Sequence, residues 1–416
     1  MHIFKFGGAS VKDAKGVKNL LKVVKQKGNN NILVVVSAMG KSTNAFEHIV
    51  KAYLNKDLSL EKYILDIKQY HIAIVNELIA DKNHPLLFEL EHMFGLLQGF
   101  MLANRSTNYN FVYDQIVSFG ELLSTKIISN YLNQAGLTNQ WLDVRQVIVT
   151  NDDYRDAKVD WKETKYRITN AIDKNKLYIT QGFLGATSDN FTTTLGREGS
   201  DFTAAIFAHC LEAKSVTIWK DVPGVLNADP RIFTDTKLLK EISYKEAIEM
   251  AFYGASVIHP KTLKPLENNA IPLYVRSFID LNKPGTTVKK GKDITPLIPC
   301  FVVKKSQIYL QISALDFSFM VEHNISNLFD LLDKYKQKVN LIQNSALSFK
   351  VCIEDKYYNF EKFLTEISEH YKVKHHKNVT LFTIRHFNDN AIDSIKKGKK
   401  ILLEQRAENT IQFIVK

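Results

Sequence analysis

The chain has 416 residues, of which 45% are hydrophobic, and its formal net charge is +11. This length predicts roughly two or three domains, with enough apolar material for a large core. No apolar stretch approaches the roughly 20 residues that cross a bilayer, and His2–Phe6 runs straight into a polar loop, so we expect neither a membrane span nor a signal peptide. The three cysteines (Cys210, Cys300 and Cys352) have no metal-binding or redox spacing, which favours a cytoplasmic protein.

The positive charge is scattered along the chain. Its dense clusters are residues 304–305 and 396–400, and neither is interleaved with the aromatic residues that a nucleic-acid stacking surface needs. We therefore interpret the excess of lysine as solvated side chains that attract small anionic substrates. A nucleic-acid-binding protein remains a distant alternative.

The N-terminus predicts a strand, a glycine turn, a helix and a second strand. His2–Phe6 is the first strand, Gly7 and Gly8 form the turn, the helix runs from Val11 to about Lys27, and Asn31–Ser37 holds a buried β-branched strand. Glycines let backbone N–H groups approach an anion closely. The unit is neither a P-loop nor the dinucleotide-binding pattern.

Residues 60–137 are mostly helical, with apolar residues at three- and four-residue intervals, and further strands are predicted at 177–181, 215–219 and 272–276. Between them, residues 196–204 combine glycines with Arg197, Ser200 and Asp201 at the start of an apolar helix. The positive end of that helix points into the loop, and the arginine fork suits a carboxylate or phosphate. The alternation of strands and helices over residues 1–290 predicts an α/β domain with a mainly parallel sheet.

A polar, turn-rich stretch at 284–292 is the predicted domain boundary. Beyond it we predict strands at 307–314, 339–342, 346–353, 379–385, 401–405 and 410–415, and helices at 326–335 and 359–371. This is one βαββαβ unit followed by an abbreviated second unit, within residues 300–416.

Five motifs in one order resemble aspartate kinase, a member of the amino acid kinase family. They are the Lys5–Ser10 loop, Ser37-Ala38 with Thr43-Asn44, Phe119-Gly120-Glu121, the 196–204 loop and residues 221–231. The resemblance implies the amino acid kinase fold, a mainly parallel sheet sandwiched by helices, with residues 60–137 as a helical cap. It also implies C-terminal α+β regulatory domains of the ACT type.

The implied reaction is phosphorylation of the side-chain carboxylate of L-aspartate by ATP with Mg²⁺, the entry to lysine, threonine and methionine synthesis. Such a carboxylate, with a pKa of about 4, is already ionised at neutral pH, so positioning and electrostatics carry the catalysis. The catalytic residues are expected to be Lys5 and Asp201. Aspartate is expected to contact Ser37, Thr43, Glu121, Phe183, Arg197 and Ser200. The nucleotide is expected to contact Lys5, Gly7, Gly8, Ser10, Lys220, Asp221, Leu226, Arg231, Ser256 and Val257, and no metal site made by protein side chains alone is expected.

Each assignment has a structural alternative. Lys5 could be a strand-end surface lysine, Asp201 and Glu121 could be helix-start acids favoured by the dipole, and Phe183 could be a core aromatic. His259, before Pro260, is interpreted as structural.

The chain departs from the commonest family pattern at five positions: Ala9, Glu198, Lys220, Leu226 and Ser256. Leu226 and Ser256 stand where a tyrosine and a lysine usually meet the nucleotide, which puts the nucleotide contacts in doubt. These two positions leave a catalytically weak amino-acid sensor as one alternative. The other, within the same fold, is a glutamate kinase or a similar acyl-phosphate kinase.

The C-terminal pattern predicts regulation by an end-product amino acid, lysine ahead of threonine, in a homodimer or higher homo-oligomer. The candidate effector loops are residues 316–324 and 342–345, where Gln343, Asn344 and Ser345 supply polar groups. The alternative is that the region only mediates dimerisation.

Overall fold

The structure is a computed structural model that describes residues 1–28, 31–255, 258–291, 293–316 and 318–416. The chain divides into two compact units. The first unit comprises Met1–Val225, Leu238–Ile248 and Val257–Ile294, and the second comprises Leu226–Lys237, Glu249–Ser256 and Thr295–Lys416.

Strands β1 to β11 lie at His2–Phe6, Ile32–Val36, Gln140–Leu142, Leu177–Gln181, Leu184–Ala186, Thr192–Thr194, Ser215–Lys220, Glu241–Ser243, Leu273–Ser277, Thr286–Lys289 and Ile294–Thr295. Helices α1 to α10 lie at Ala14–Lys27, Ser42–Leu54, Leu60–Leu78, Pro85–Ala103, Tyr109–Val117, Phe119–Gln134, Trp161–Ala171, Gly199–Leu211, Tyr244–Tyr253 and Pro260–Asn268.

Nine strands form the main sheet, in the order β11-β8-β10-β9-β7-β1-β2-β4-β3, and β5 pairs separately with β6. The pairs β1–β2, β1–β7, β2–β4, β3–β4, β7–β9 and β8–β10 are parallel, and β9–β10 is antiparallel. The predicted mainly parallel sheet is confirmed. Because parallel strands end at the same edge of a sheet, the residues that follow β1, β2, β4 and β7 meet there.

The local sequence explains these elements. Every residue of β2, Ile-Leu-Val-Val-Val, is buried, as expected for a central parallel strand. The helix predicted from Val11 begins later, because Gly8–Val11 forms a 3₁₀ turn and Asp13 caps α1 by accepting a hydrogen bond from the Gly16 N–H at 2.8 Å.

The predicted helical cap consists of α3 to α6. Among the described residues, α4 is long and apolar enough, by length and composition only, to cross a membrane. Our expectation that no stretch approaches this length and apolarity was therefore wrong for α4. One face of α4, with Leu86, Leu90 and Phe94, is buried in the hydrophobic core of the first unit, while most of the helix is not buried.

The second unit is built around a six-stranded antiparallel sheet. Its strands β12 to β17 lie at Cys300–Ala314, Lys338–Ser345, Ser348–Glu354, Tyr371–Arg385, Ile401–Arg406 and Thr410–Val415, in the order β13-β14-β12-β15-β17-β16. Its helices α11 to α13 lie at Glu322–Lys334, Phe360–His370 and Asp389–Lys396. The predicted elements are present, β12 and β15 are longer than expected, and α13 was not predicted.

One buried histidine of the helical cap, in the first unit, is expected to make the stability of that unit depend on pH. His71 on α3 is fully buried, and its Nδ1 lies 2.8 Å from the Ile67 carbonyl oxygen. Burial lowers the pKa of His71 from 6.5 to about 4, because the charged ring would be desolvated. The fold therefore requires the neutral ring.

We expect the stability that neutral His71 contributes to be complete above pH 6.5 and to be lost as the pH falls towards 4. Between pH 7.5 and pH 5 the loss is about 2 kcal/mol, since the unfolded chain takes up the proton first. Urea unfolding at both pH values should show this loss in the wild type and in the exposed-histidine control His92→Gln, but not in His71→Gln. Equal pH dependence in all three proteins would contradict the assignment.

Candidate active site

A cavity of about 470 Å³ opens in the first unit, where the carboxyl ends of the central strands meet the start of α8. It brings together nine of the predicted site residues: Lys5, Ser37, Thr43, Glu121, Phe183, Arg197, Ser200, Asp201 and Lys220. The other lining residues are Tyr113, Arg155, Thr194, Gly196, Glu198 and Gly199.

A buried ion pair lies in the wall of this cavity. Lys5 Nζ is 2.6 Å from Asp201 Oδ1, and the two side chains are 11% and 4% exposed. Lys5 belongs to β1, at the centre of the sheet, and Asp201 to the first turn of α8. The pair therefore excludes the alternative that Lys5 is a surface lysine, and it holds an ammonium group at the end of the strand.

The glycine turn after β1 is closely packed. A Cβ at Gly8 would stand 2.6 Å from the Ala38 carbonyl oxygen and 2.8 Å from that of Gly40, so a side chain does not fit. A Cβ at Gly7 would be 3.5 Å from Lys5 Nζ. The turn thus places bare backbone beside the lysine, which is how glycine loops receive phosphate oxygens.

The loop before α8 is equally restricted. Glu198, at the N-cap of α8, has a φ of 54°, in the left-handed region. A Cβ at Gly199 would lie 2.6 Å from the Phe183 ring, and a Cβ at Gly182 would lie 2.4 Å from Ser200 Cβ. Ser200 accepts a 3.0 Å hydrogen bond from Ser37 Oγ. The ends of β2 and β4 are therefore packed against the start of α8.

Glu121 on α6 is a buried acid with unused hydrogen-bonding capacity. Its Oε1 accepts a hydrogen bond from the Ala38 N–H at 3.3 Å, whereas Oε2 has no hydrogen-bond partner among the described residues. Burial raises the pKa of Glu121 to about 8. A cation entering the cavity would stabilise the carboxylate, so this side chain is suited to an ammonium group.

Six lining residues were not predicted. Gly196, Glu198 and Gly199 lie inside the 196–204 loop, so the motif itself was the signal for them. The other three belong to no motif: Tyr113 lies on α5, Thr194 lies on β6, and Arg155 lies in a loop. They reach the cavity only through the tertiary fold.

Six of the predicted nucleotide residues that the structure describes do not line this cavity. Gly7, Gly8 and Ser10 belong to the turn after β1, and Asp221 is exposed after β7. Leu226 and Arg231 belong to the second unit, where Arg231 is exposed and pairs with Asp229 at 2.7 Å. The predicted residues Ser256 and Val257 lie outside the described part of the chain.

His259 has a structural role, as interpreted. It is the N-cap of α10, and its Nδ1 accepts a hydrogen bond from the Lys261 N–H at 3.2 Å.

The acids of the cavity suit a metal that arrives with a nucleotide better than one held by protein alone. In the described residues, no three His, Cys, Asp or Glu side chains form a group that could hold a metal ion. Magnesium is commonly bound through one or two carboxylates together with substrate phosphates. Of the three lining acids, Asp201 is paired with Lys5 and Glu121 suits an ammonium group, so Glu198, whose Oε2 has no hydrogen-bond partner among the described residues, fits that mode.

The charges of the cavity define what it can bind. Four cationic and three acidic side chains line it. The cations can neutralise two anions held close together, and Glu121 can hold a positive group. With a glycine turn beside Lys5, the arrangement suits transfer of a phosphoryl group to an acceptor that carries both charges.

Comparison with known proteins identifies the family. The amino acid kinase family model matches residues 1–277. Lysine-sensitive aspartokinase 3 of Escherichia coli is 33% identical over 85% of this chain and 78% of its own length. A bifunctional aspartokinase/homoserine dehydrogenase 2 of Arabidopsis thaliana is 31% identical over 69% of this chain, which spans 32% of that longer relative.

Solved structures agree in fold. E. coli aspartokinase III in complex with aspartate and ADP matches with a TM-score of 0.84 and 27% identity, over 100% of this chain and 96% of that one. The same protein in complex with lysine and aspartate matches with a TM-score of 0.83. The family match covers the β1 turn, the helical cap and the start of α8, which together build the cavity. The chain therefore belongs to the amino acid kinase family, and within it to the aspartokinases.

Proposed function

We propose that the protein transfers the γ-phosphoryl group of Mg-ATP to the side-chain carboxylate of L-aspartate, giving 4-phospho-L-aspartate and ADP. One observation carries the proposal: a single cavity holds a buried lysine, Arg197 and Glu121. Among the described residues the Arg197 fork makes no ion pair and the Glu121 Oε2 has no hydrogen-bond partner. These groups match the reacting carboxylate, the α-carboxylate and the ammonium of aspartate. The aspartate and ADP bound to the E. coli relative support both substrates.

In the proposed reaction a carboxylate oxygen of aspartate attacks the γ-phosphorus. The new O–P bond forms as the bond to the bridging β,γ-oxygen breaks, and ADP leaves. No general base is needed, because the carboxylate is ionised at neutral pH. Magnesium, when bound with the nucleotide, neutralises phosphate charge.

The protein's own groups bring two anions together. Lys5, oriented by Asp201 at 2.6 Å, lies where charge spreads in the transition state. Thr43 is a hydroxyl donor for the reacting carboxylate, and Ser37 becomes one when its hydroxyl turns away from Ser200. Arg197 is a bidentate partner for the α-carboxylate. Gly7, Gly8, Ser10, Lys220 and Asp221 are proposed for the nucleotide, together with Leu226, Arg231, Ser256 and Val257.

The wider organisation is proposed from the same family relationship. Residues 1–290 form the catalytic part and residues 300–416 a regulatory part of the ACT type, in a homodimer or higher homo-oligomer. Three free, buried cysteines favour a reducing cytoplasm.

Trapping with hydroxylamine tests the function. With ATP, Mg²⁺, aspartate and hydroxylamine, the wild type should form aspartyl hydroxamate, because hydroxylamine attacks the acyl carbon of aspartyl phosphate and releases inorganic phosphate. Lys5→Ala should reduce turnover roughly 10²–10³-fold, because it deletes a charge aimed at the transition state, while nucleotide binding weakens far less. The exposed control Lys15→Ala should keep full turnover.

Lys5→Ala leaves Asp201 buried without its cation, which endangers the fold. Lys5→Arg keeps the charge, displaces it, and should also lose turnover while remaining folded. Near wild-type turnover in both variants would remove Lys5 from catalysis. If the wild type binds aspartate but forms no hydroxamate, the sensor alternative is favoured.

The raised pKa of Glu121 predicts that the affinity for aspartate depends on pH. Because burial raises the pKa of Glu121 to about 8, an ammonium group that binds this side chain at pH 7 must displace a proton. Affinity for aspartate should therefore rise with pH from 6 to 8, approaching a factor of about 10 per pH unit at the acidic end. Calorimetry in buffers of different ionisation enthalpy should detect the released proton.

Glu121→Gln should lose both the proton release and the pH slope, and the exposed control Glu61→Gln should lose neither. Proton release that persists in Glu121→Gln would assign it to another group.

We propose lysine as the effector of the second unit. A cavity of about 730 Å³ there is lined by Asp316, Asp330 and Glu366, and by no lysine or arginine among the described residues. Lys334 neutralises Glu366 at 2.7 Å, which leaves the other two acids to attract a cation. The lysine-bound E. coli relative supports this choice over threonine.

Only one of the two expected effector loops lines that cavity. Ser318, His323 and Asn324 of the 316–324 loop do so, while residue 317 lies outside the described chain. Gln343, Asn344 and Ser345 are the end of β13, where Ser345 Oγ lies 2.8 Å from Ser348 Oγ.

Lysine should inhibit the full-length protein more than threonine does, with roughly 5–150-fold coupling to apparent substrate affinity. Asp330→Asn should weaken inhibition by lysine. The control Asp333→Asn, on the same helix but paired with Lys336, should not. The measurement is enzyme activity titrated with lysine, with threonine and with both together. If neither amino acid inhibits, the second unit serves dimerisation alone.

A further inference from the structure

Arg155 reaches the cavity from a loop that carries no motif, with a backbone conformation unusual for its residue type. Its φ is 72°, in the left-handed region that favours glycine. A side chain there costs on the order of 1–2 kcal/mol. The surrounding structure must therefore impose this conformation, and strained residues of this kind concentrate at functional sites.

Asp114 imposes it. This side chain on α5 is fully buried, and its Oδ2 accepts hydrogen bonds from the Arg155 N–H at 3.0 Å and the Thr194 N–H at 2.8 Å. Its Oδ1 accepts a third, from Thr194 Oγ1 at 2.8 Å. One buried carboxylate thus ties the Arg155 backbone to β6, and both Arg155 and Thr194 line the cavity.

Two tyrosines orient the guanidinium. Its carbon lies 4.5 Å from the ring centre of Tyr113 and 5.4 Å from that of Tyr109. The Arg155 Nη1 is 3.4 Å from Asn110 Oδ1. Among the described residues no carboxylate lies within ion-pair distance of Arg155. The group is held by rings along α5, and its fork is open to an anion.

Arg155 also adjoins the loop of Arg197. A Cβ at Gly196 would stand 2.6 Å from Asp156 Oδ1 and 3.2 Å from the Arg155 carbonyl oxygen, so the two segments are in contact. Arg197 likewise makes no ion pair with a described residue. Two arginines with open forks therefore line the cavity from adjoining segments.

We propose that Arg155 is a second binding residue for the α-carboxylate of the amino-acid substrate, acting together with Arg197. The inference rests on the proposed aspartate kinase function and deepens it. The contacts of Arg155 are with α5, β6 and the Gly196 segment, on the side assigned to the amino acid, whereas the glycine turn beside Lys5 serves the phosphates. Asp114 acts through Arg155 and Thr194 and is a positioning residue.

Arg155→Gly separates this role from folding. Glycine adopts the observed φ without strain and keeps the N–H that Asp114 accepts, so the variant should be at least as stable as the wild type. Its KM for aspartate should rise about 10-fold, with kcat and the KM for ATP nearly unchanged. The KM of Arg155→Lys for aspartate should lie between those of the wild type and Arg155→Gly, since lysine keeps the charge without the fork.

The α-amide of aspartate supplies a second readout. It keeps the ammonium and the reacting carboxylate but lacks the α-carboxylate. The wild type should prefer aspartate strongly, and Arg155→Gly should reduce that preference about 10-fold, a change that a merely structural residue would not cause. Lys56→Gly, a change of another exposed cationic residue with a φ of 53°, is the matched control and should leave KM and preference unchanged.

An unchanged KM and preference in Arg155→Gly would overturn the inference, and so would a raised KM for ATP alone. Failure of the proposed function is a different result, because the wild type itself would then form no hydroxamate from aspartate. In that case calorimetry decides: aspartate binding to the wild type that is weakened in Arg155→Gly supports the inference. Equal binding, or none to the wild type, overturns it.

Discussion

The structure of the site depends on one buried ion pair, Lys5 with Asp201. Removing two opposite charges from water is costly, and only close contact between them compensates. Here the contact is 2.6 Å and joins the central strand β1 to the first turn of α8. Breaking such a pair by removing one partner typically costs about 3–5 kcal/mol, so the sheet and α8 are fixed relative to each other where the chemistry is proposed.

Other features of the same region also lower the stability of the folded protein. Arg155, Phe183 and Glu198 all line the cavity with a positive φ, at 72°, 70° and 54°. Glu121 is buried with one oxygen that has no hydrogen-bond partner in the described part of the chain, and Asp114 is buried although burial raises its pKa to about 6. These backbone conformations and buried acids destabilise the folded protein without help from a ligand. They leave donors and acceptors already aimed into the cavity, which is the electrostatic preorganisation that phosphoryl transfer requires.

Much of this site was predictable because its residues are close together in sequence. Gly199, Ser200 and Asp201 follow one another, so any fold that starts a helix there presents them together. The order of hydrophobic runs likewise predicted β4 at Leu177–Gln181 and β17 at Thr410–Val415 as they are found. These elements are determined locally, by β-branched runs bounded by turn residues.

The sequence-based predictions failed where a feature depends on distant residues or has only a weak pattern in the sequence. The start of α1 was missed because the Asp13 cap outweighs the helical pattern before it. The short helix α13 was missed because its apolar residues, Ala391, Ile392 and Ile395, fill little more than one turn. Arg155 lies 42 positions before Arg197 in the numbering, with no glycine or motif beside it. Its role became visible only when Asp114 and Gly196 were found on either side of it.

Charge distinguishes the ligands proposed for the two units. The cavity of the first unit has an excess of cations and suits a dicarboxylate and a nucleotide, which are both anions. The cavity of the second unit offers Asp316 and Asp330 and no lysine or arginine among the described residues, so it repels those same anions. On the proposed assignments we expect the second cavity to favour a cationic amino acid and the first cavity to favour the anionic substrates. Since an effector acts only through different affinity for two states of the protein, this separation lets effector and substrate be bound at once without competing for one cavity.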